Sequence, residues 1–493
     1  MGEMVLCKTF LKLIKHLLHI IAAALIVSML VSCEDEKHFT SPDAMLQFSK
    51  DTLTFDTIFT SIGSTTRHFA VHNPYAENII VSRIRMVNAN NSSFRLNVNG
   101  ISSNEVYDVE IPAKDSILVF VEVTINPNGQ DLPMVVKNSV EFVTNANIQK
   151  VDIIAYGQNF KLISGEIIET TTWTSEKPYL VYDYVQIDST STLTIDPGTK
   201  IYFHKDAGMY VKGTVIANGT FEEPIYFLPD RLEDTYENIP NQWNGIVLFS
   251  GSHSNVFDFV TIKNANIGLQ VGTIEHEGFA AARITNSRIE NMAYAGLFAL
   301  KSKIYAHNAV IANCGLYAVA LLVGGEYEFY HTTIANYWGG YSLQTRSTAS
   351  LAISNTLKVS DTNGNSKIYS NDLTKAFFGN CIVYGSNITE VELANNSEKE
   401  FNYFFDHCII KVPETFNTSN KDNYNKVLKS ISYDPLFIDP YIKYNYTLDS
   451  LSPARNIGSL EYSDIIKLDI MSNSRLDDEG PDLGAYEWIS KKD

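Results

Sequence analysis

Ile304-Tyr305-Ala306-His307-Asn308-Ala309-Val310-Ile311 carries, in eight residues, the pattern that decides the fold. Ile304 and Ala306 stand four and two residues before Asn308, so both point to one face of a strand. A small residue follows the asparagine, and a second strand opens on the apolar Ile311. The pattern returns around Asn286, His331, Asn355, Asn380 and His407, at successive spacings of 22, 23, 24, 25 and 27 residues. Four before the markers stand Ala282, Ile304, Tyr327, Leu351, Ala376 and Tyr403, and two before stand Ile284, Ala306, Phe329, Ile353, Phe378 and Phe405. Ser287, Ala309, Thr332, Thr356, Cys381 and Cys408 follow directly, and Ile289, Ile311, Ile334, Lys358, Val383 and Ile410 stand at the third position after, broken only at Lys358. An Asn or His at the bend satisfies backbone groups there and stacks on its neighbour above. One coil of this size cannot bury its own apolar face, so successive coils must stack and share a core.

Turn chemistry repeats at Asn291, Asn313 and Asn336, followed by Gly296, Gly315 and Gly339. The whole ladder resembles the right-handed parallel β-helix of pectate-lyase-like proteins. A leucine-rich repeat is the rival, but its Leu-Asn signature and tight period are missing. Upstream, Leu193 to Ile201, Val211 to Thr220, Pro224 to Phe227 and Trp243 to Ile246 continue the resemblance, with Asp230 to Gln242 as an exposed loop. Downstream, Asp434-Pro435-Leu436-Phe437, Tyr446-Thr447-Leu448, Ser452-Pro453-Ala454 and Pro481 to Glu487 resemble the terminal module of many secreted β-helix proteins. It departs from that pattern at Ser472-Asn473-Ser474-Arg475, where a glycine is expected before the arginine. The expected role is to cap the open end of the helix, whose strand edges are otherwise unpaired.

Before the repeats, residues 44–158 read as short alternating strands. Leu46 and Phe48, Leu53 and Phe55, Phe69 and Val71, the run Ile117 to Val123, and Val140-Glu141-Phe142 carry the alternation. Strands at this spacing indicate a β-sandwich. The order of features, closing on Ala155-Tyr156-Gly157, resembles Ig-like domains of the abnormal-spindle and hydin type, which implies a spacer or adaptor.

At the N-terminus, Lys8, Lys12 and Lys15 precede an apolar run from Leu17 to Val31. The run is short and its flanking charge one-sided, which fits a cleaved export signal. Leu30-Val31-Ser32-Cys33 resembles the lipobox of bacterial lipoproteins, which implies that Cys33 becomes the lipidated first residue. Glu34-Asp35-Glu36-Lys37 resembles the acidic tag of Bacteroidetes lipoproteins displayed outside the cell, and a periplasm-facing anchor is the alternative. The expected organisation is a signal peptide (1–32), an acidic linker (33–43), an Ig-like sandwich (44–158), a right-handed parallel β-helix (159–430) and a capping module (431–493). The expected location is the outer membrane, at the cell surface.

The net charge of −18 argues against nucleic acid or anionic membrane as partners, since both need basic patches. Setting aside the signal and the anchor leaves Cys314, Cys381 and Cys408, too few for a disulfide framework, with no Cys-x-x-Cys metal pattern. Arg283, Arg288, Lys301, Lys303, Glu326 and Glu328 fall where solvent-facing residues alternate with core ones, and read as a solvated face. The acidic loop Asp230, Glu233, Asp234, Glu237 lacks the ligand spacing of a cation site. His331 and His407 read as members of the turn ladder. No catalytic residue, metal site or cofactor is expected, although a lyase on this scaffold would take Ca²⁺.

Tyr294, Tyr305, Tyr317, Tyr330, Tyr337, Trp338 and Tyr341 recur through the middle coils, and flat aromatic surfaces suit sugar rings. Tyr305 and Trp338 are the leading carbohydrate-binding candidates. Two function classes follow: a non-catalytic surface protein binding glycan or a partner protein along the helix, and a polysaccharide lyase or glycosidase on the same scaffold. The aligned coils show no paired Asp or Glu columns across a cleft, which favours binding.

Overall fold

A computed structural model describes His16, His19, Ile21 and residues 37–127, 134–274, 277–339, 346–361, 364–429 and 431–490. The rest of residues 1–36, where the expected signal segment and Cys33 fall, and Tyr341 lie outside these residues. The chain divides into two compact units, one reaching Gln158 and the other beginning at Asn159.

The first unit is a two-sheet sandwich. Gln47–Phe48, Arg67–His72, Ser116–Val123, Phe94–Val98 and Ile101–Ser102 form one sheet. Thr52–Phe59, Asn147–Gln158, Met134–Thr144, Ile79–Met86 and Glu105–Ile111 form the other. Alternation does the work: Leu53, Phe55, Phe69, Val71, Val119, Val121 and Phe142 are buried in one core, while Leu118 between them is exposed.

The second unit is a parallel β-helix, with 26 strands in one continuous sheet among the described residues. Each turn carries three strands, which stack into three ladders. The first ladder runs through Gly208–Val211, Trp243–Leu248, Ala265–Val271, the opening halves of Ala295–His307 and Tyr317–Tyr330, and Leu351–Ser354. The second contains Asn255–Asp258, Ala280–Thr285, the closing halves of the two long strands, Leu373–Gly379 and Phe404–Asp406. The third contains Val260–Lys263, Arg288–Met292, Val310–Cys314, Thr333–Asn336, Ile382–Gly385 and Ile409–Ile410. Ile289, Ile311, Ile334, Val383 and Ile410 are direct partners in that order, and all are buried. Burying each such side chain is worth roughly 1.5–3 kcal/mol.

The corner between the second and third ladders explains the markers. Phe259, Asn286, Asn308, His331, Asn380, His407 and Lys426 all have φ between 43° and 53°. L-residues other than Asn and Asp enter this left-handed region reluctantly, so the corner selects Asn. The amides stack as expected: Asn286 Nδ2 donates to Asp258 at 2.9 Å and Asn308 Nδ2 to Asn286 at 2.9 Å. A second amide column follows, with Asn313 donating to Asn291 at 3.0 Å and Asn291 to Asn264 at 2.6 Å. Burial pushes the His331 imidazole well below its ordinary pKa, so it serves the corner as a neutral group. Cys381 and Cys408 are buried free thiols in adjacent coils, packed as the small residues of this column.

Two expectations need correction. Asn355 is not a marker: Leu351 pairs with Val319 in the first ladder, and Asn380 Nδ2 lies 3.1 Å from His331 Nε2. The coil from His331 to Asn380 is therefore a long one, from which Thr356–Ser360 and Ser366–Ser370 leave as an exposed hairpin. Lys358, the break in the apolar column, stands on that hairpin. The C-terminal module also differs from an end cap, because its core lies along the flank of the third ladder. Phe437, Tyr446, Leu448, Ala454, Leu483 and Ala485 pack on the outward Val310, Ala312, Ala335, Ile382 and Ile409. These outward residues are apolar, so the flank itself demanded a cover.

Candidate functional site

The outer face of the second ladder gathers charged and aromatic side chains in aligned columns. Its central column is a register of direct partners: Arg283, Tyr305, Glu328, Phe377 and Phe404. One flanking column holds Ala281, Lys303, Glu326 and Lys375, and the other Thr285, His307, Tyr330, Gly379 and Asp406. Strand alternation turns all of them outward, while Ile304, Ala306, Tyr327, Phe329 and Phe378 fill the core. A groove of about 390 Å³ opens where Arg283, Lys303, Tyr305, Glu326 and Glu328 meet.

Four successive coils each place one half-buried aromatic ring on this face. Tyr305 and Tyr330 have ring centroids 5.8 Å apart, Tyr330 and Phe377 5.3 Å, and Phe377 and Phe404 5.9 Å. Tyr462, from the short helix Leu460–Ser463 of the C-terminal module, closes one side, 5.3 Å from Tyr330 and 5.7 Å from Phe377. Gly379 permits this approach, since a Cβ there would sit 2.9 Å from both the Phe377 and Tyr462 rings.

Charge on the face is internally matched. Lys303 pairs with Glu326 at 2.8 Å and Lys375 with Glu328 at 2.9 Å. Tyr330 also donates to Glu328 at 2.8 Å. Burial raises the Glu328 pKa, but the hydrogen bonds from Lys375 and Tyr330 outweigh it and hold the carboxyl below its ordinary value. Asp406 accepts from the Tyr462 hydroxyl and from Asn425 Nδ2 at 2.7 Å, with His407 Nδ1 at 2.8 Å. The Arg283 guanidinium lies over the Tyr305 ring at 5.7 Å. His307 lies beside Tyr305, ring centroids 5.8 Å apart, its Nδ1 buried without a hydrogen-bond partner, and burial pushes its pKa down to about 4. Flat apolar rings bordered by fixed donors and acceptors suit stacking and hydrogen bonding of a hydroxyl-rich ligand.

Of the sequence candidates, Tyr305 lies within this face and Trp338 does not. Trp338 follows the third-ladder strand Thr333–Asn336 and is half-buried, on the side of Gly315 where a Cβ would point. The structure therefore does not join the two rings into one platform. Tyr337 is buried against Phe437, Tyr441 and Tyr446, while Tyr294 is exposed. The marker alignment left out Phe377, Phe404, Asp406 and Tyr462. The first two were legible, because they stand three residues before Asn380 and His407, as Tyr305 does before Asn308.

In the loop after Pro229, Asp230 pairs with His204 at 2.7 Å and Glu233 with Arg231 at 3.1 Å. No group of three metal-ligating side chains converges among the described residues.

No protein-family model matches the chain, and no curated protein matches it. Among solved structures, it is similar to a protein of unknown function from Porphyromonas gingivalis W83, at 10% identity and a TM-score of 0.18, over 25% of this chain and 49% of that one. A family 123 glycoside hydrolase from Clostridium perfringens matches at 6% identity and a TM-score of 0.18, over 24% of this chain and 30% of the other. The catalytic domain of a GH87 α-1,3-glucanase, in complex with tetrasaccharides, matches at 10% identity and a TM-score of 0.17, over 73% and 90% of the two chains. This chain thus spans about half the length of the first of these structures and less than a third of the second.

Proposed function

We propose that the chain is a lipid-anchored protein of the outer cell surface that binds glycan, without cleaving it, on the outer face of the second ladder. The observation that carries the binding reading is the run of one half-buried aromatic ring per coil over four coils. Such rings offer stacking surfaces, and the bordering Lys–Glu pairs and tyrosine hydroxyls offer hydrogen bonds without free charge. The anchor rests on Leu30-Val31-Ser32-Cys33 and surface display on the acidic residues after it. The N-terminal sandwich, with its resemblance to Ig-like domains, serves as a spacer.

Two experiments test this reading. Cys33→Ala should abolish labelling by a radiolabelled fatty acid and release the protein from the membrane fraction; membrane retention without lipid would overturn the anchor. On a glycan array, the wild-type chain should bind a set of glycans that the Tyr305→Ala, Phe377→Ala double variant loses. Release of new reducing ends from a bound glycan would replace the binding reading with the catalytic one.

A further inference from the structure

We infer that the glycan is a neutral, extended, β-1,4-linked chain lying along the helix axis, one sugar ring per coil. This inference rests on the binding reading above and specifies its ligand.

Orientation comes from the period of the rings. Neighbouring coils in a parallel ladder lie about 4.8 Å apart, and the ring centroids step by 5.8, 5.3 and 5.9 Å from Tyr305 through Tyr330 and Phe377 to Phe404. The rise per sugar of an extended β-1,4-linked pyranose chain is of this same size. The rings overlap, tilted by 46° and 41° and stacked at 19° between Phe377 and Phe404, so a chain laid along the axis meets the exposed edge and part of the face of a fresh ring at each residue. Laid across the coils it would run from one ring into the wall made by Tyr462, and an α-linked chain that coils would leave the surface after a residue or two. Tyr462 walls the strip on one side, held by its bond to Asp406, and the Lys303–Glu326 and Lys375–Glu328 pairs border the other.

Neutrality comes from the charges. Between the rungs of Arg283 and Phe404 the face presents three cations, Arg283, Lys303 and Lys375, and three carboxylates, Glu326, Glu328 and Asp406. Both lysines are already paired, and Arg283 covers the Tyr305 ring at the end of the strip. With those two pairs cancelled, a polyanion would find one cation, Arg283, at one end and one carboxylate, Asp406, at the other, so no net positive charge along its path, and a chain of net charge −18 around it.

The test measures binding of cello-, manno- and xylo-oligosaccharides of two to six residues, beside hexagalacturonate, to the full chain by calorimetry. At least one neutral series should gain affinity stepwise to four residues and then level off, with little dependence on salt, and hexagalacturonate should bind at least tenfold more weakly. Tyr305→Ala and Phe377→Ala should each weaken the tetramer about fivefold. Tyr305→Phe and Phe377→Tyr, which keep the ring, should restore binding, so that loss of fold is separated from loss of a stacking surface. Strip-dependent binding of hexagalacturonate in preference to the neutral series overturns neutrality and leaves the glycan reading standing. Strip-dependent array hits with no gain beyond the dimer, or with none of the three series bound, overturn the lengthwise arrangement alone. Binding of any series unchanged by both alanine variants, or no glycan bound at all, overturns this inference and the binding reading together.

Discussion

The second and third ladders are wound from the same coils, yet their outer faces have opposite fates. On the second, Arg283, Tyr305, Glu328 and Phe377 stay accessible; on the third, Val310, Ala312, Ala335 and Ile382 disappear beneath the C-terminal module. Both inner faces are equally buried, so the difference resides in the outward positions alone. Where a strand alternates, one face meets solvent and is available for recognition. Where it reads as an unbroken apolar run, as Val310-Ile311-Ala312 does, a second layer has to cover it. The module is bound to that flank by more than apolar contact. Arg475, fully buried, donates to Glu487 and to Asn308 Oδ1 at 2.9 Å, and so reaches the corner column itself. Gly484 N donates to the Asn380 carbonyl at 2.8 Å and Ala485 N to Thr333 Oγ1 at 2.9 Å.

The sharpest way to break this contrast is at the shared interior. Ile311→Asp places an unpaired charge in the core and should cost more than about 5 kcal/mol, unfolding the helix by circular dichroism; a folded variant would mean that the column is not a core. Next comes the covered flank. Arg475→Met strands Glu487 and should cost about 3–5 kcal/mol in denaturant unfolding. A loss below 1 kcal/mol would mean that the module is only loosely seated.

The open face should respond to pH through His307. Its folded pKa, about 4, lies below the ordinary histidine value of 6.5. The unfolded chain therefore binds more protons between those values, and stability falls as pH drops from 6.5 to 4. This loss should be on the order of 2–3 kcal/mol, and His307→Gln should remove its share of it; an unchanged pH profile in the variant would place His307 in water. The smallest effect belongs to the rings. Tyr305→Ala and Phe377→Ala should each cost about 1 kcal/mol or less in stability. A larger cost would make the strip a part of the core and dissolve the contrast between the two faces.

How far these faces could be read in advance depends on the physics that fixes them. The inward columns were legible because burial acts on every coil alike: Ile284, Ala306, Phe329, Phe378 and Phe405 obey one rule, as do the corner residues with positive φ. Asn355 satisfied the same local rule but belongs elsewhere, because register depends on which strand a segment pairs with, and a hairpin can leave the coil without altering local composition. Within the candidate face, Tyr305 follows from alternation. Tyr462 does not, because it comes from 132 residues beyond Tyr330 and arrives there only through the docking of the module. Trp338 shows the limit of reading exposure from a turn motif, since its ring is half-buried beside the Gly315 turn of the preceding coil.

The corner between the second and third ladders also bears on how this molecule tolerates change. From Thr285 onward each coil crosses it in two residues, the first left-handed, with no slack to absorb another. The long excursions occur at the other two corners: residues 230–242 between the third and first ladders, and the hairpin strands Thr356–Ser360 and Ser366–Ser370 between the first and second. An epitope tag or a fluorophore site belongs beside Gly364, at the tip of that hairpin, where lengthening the loop adds only slowly to its closure entropy. The same insert beside Asn308 would shear every rung above it out of step.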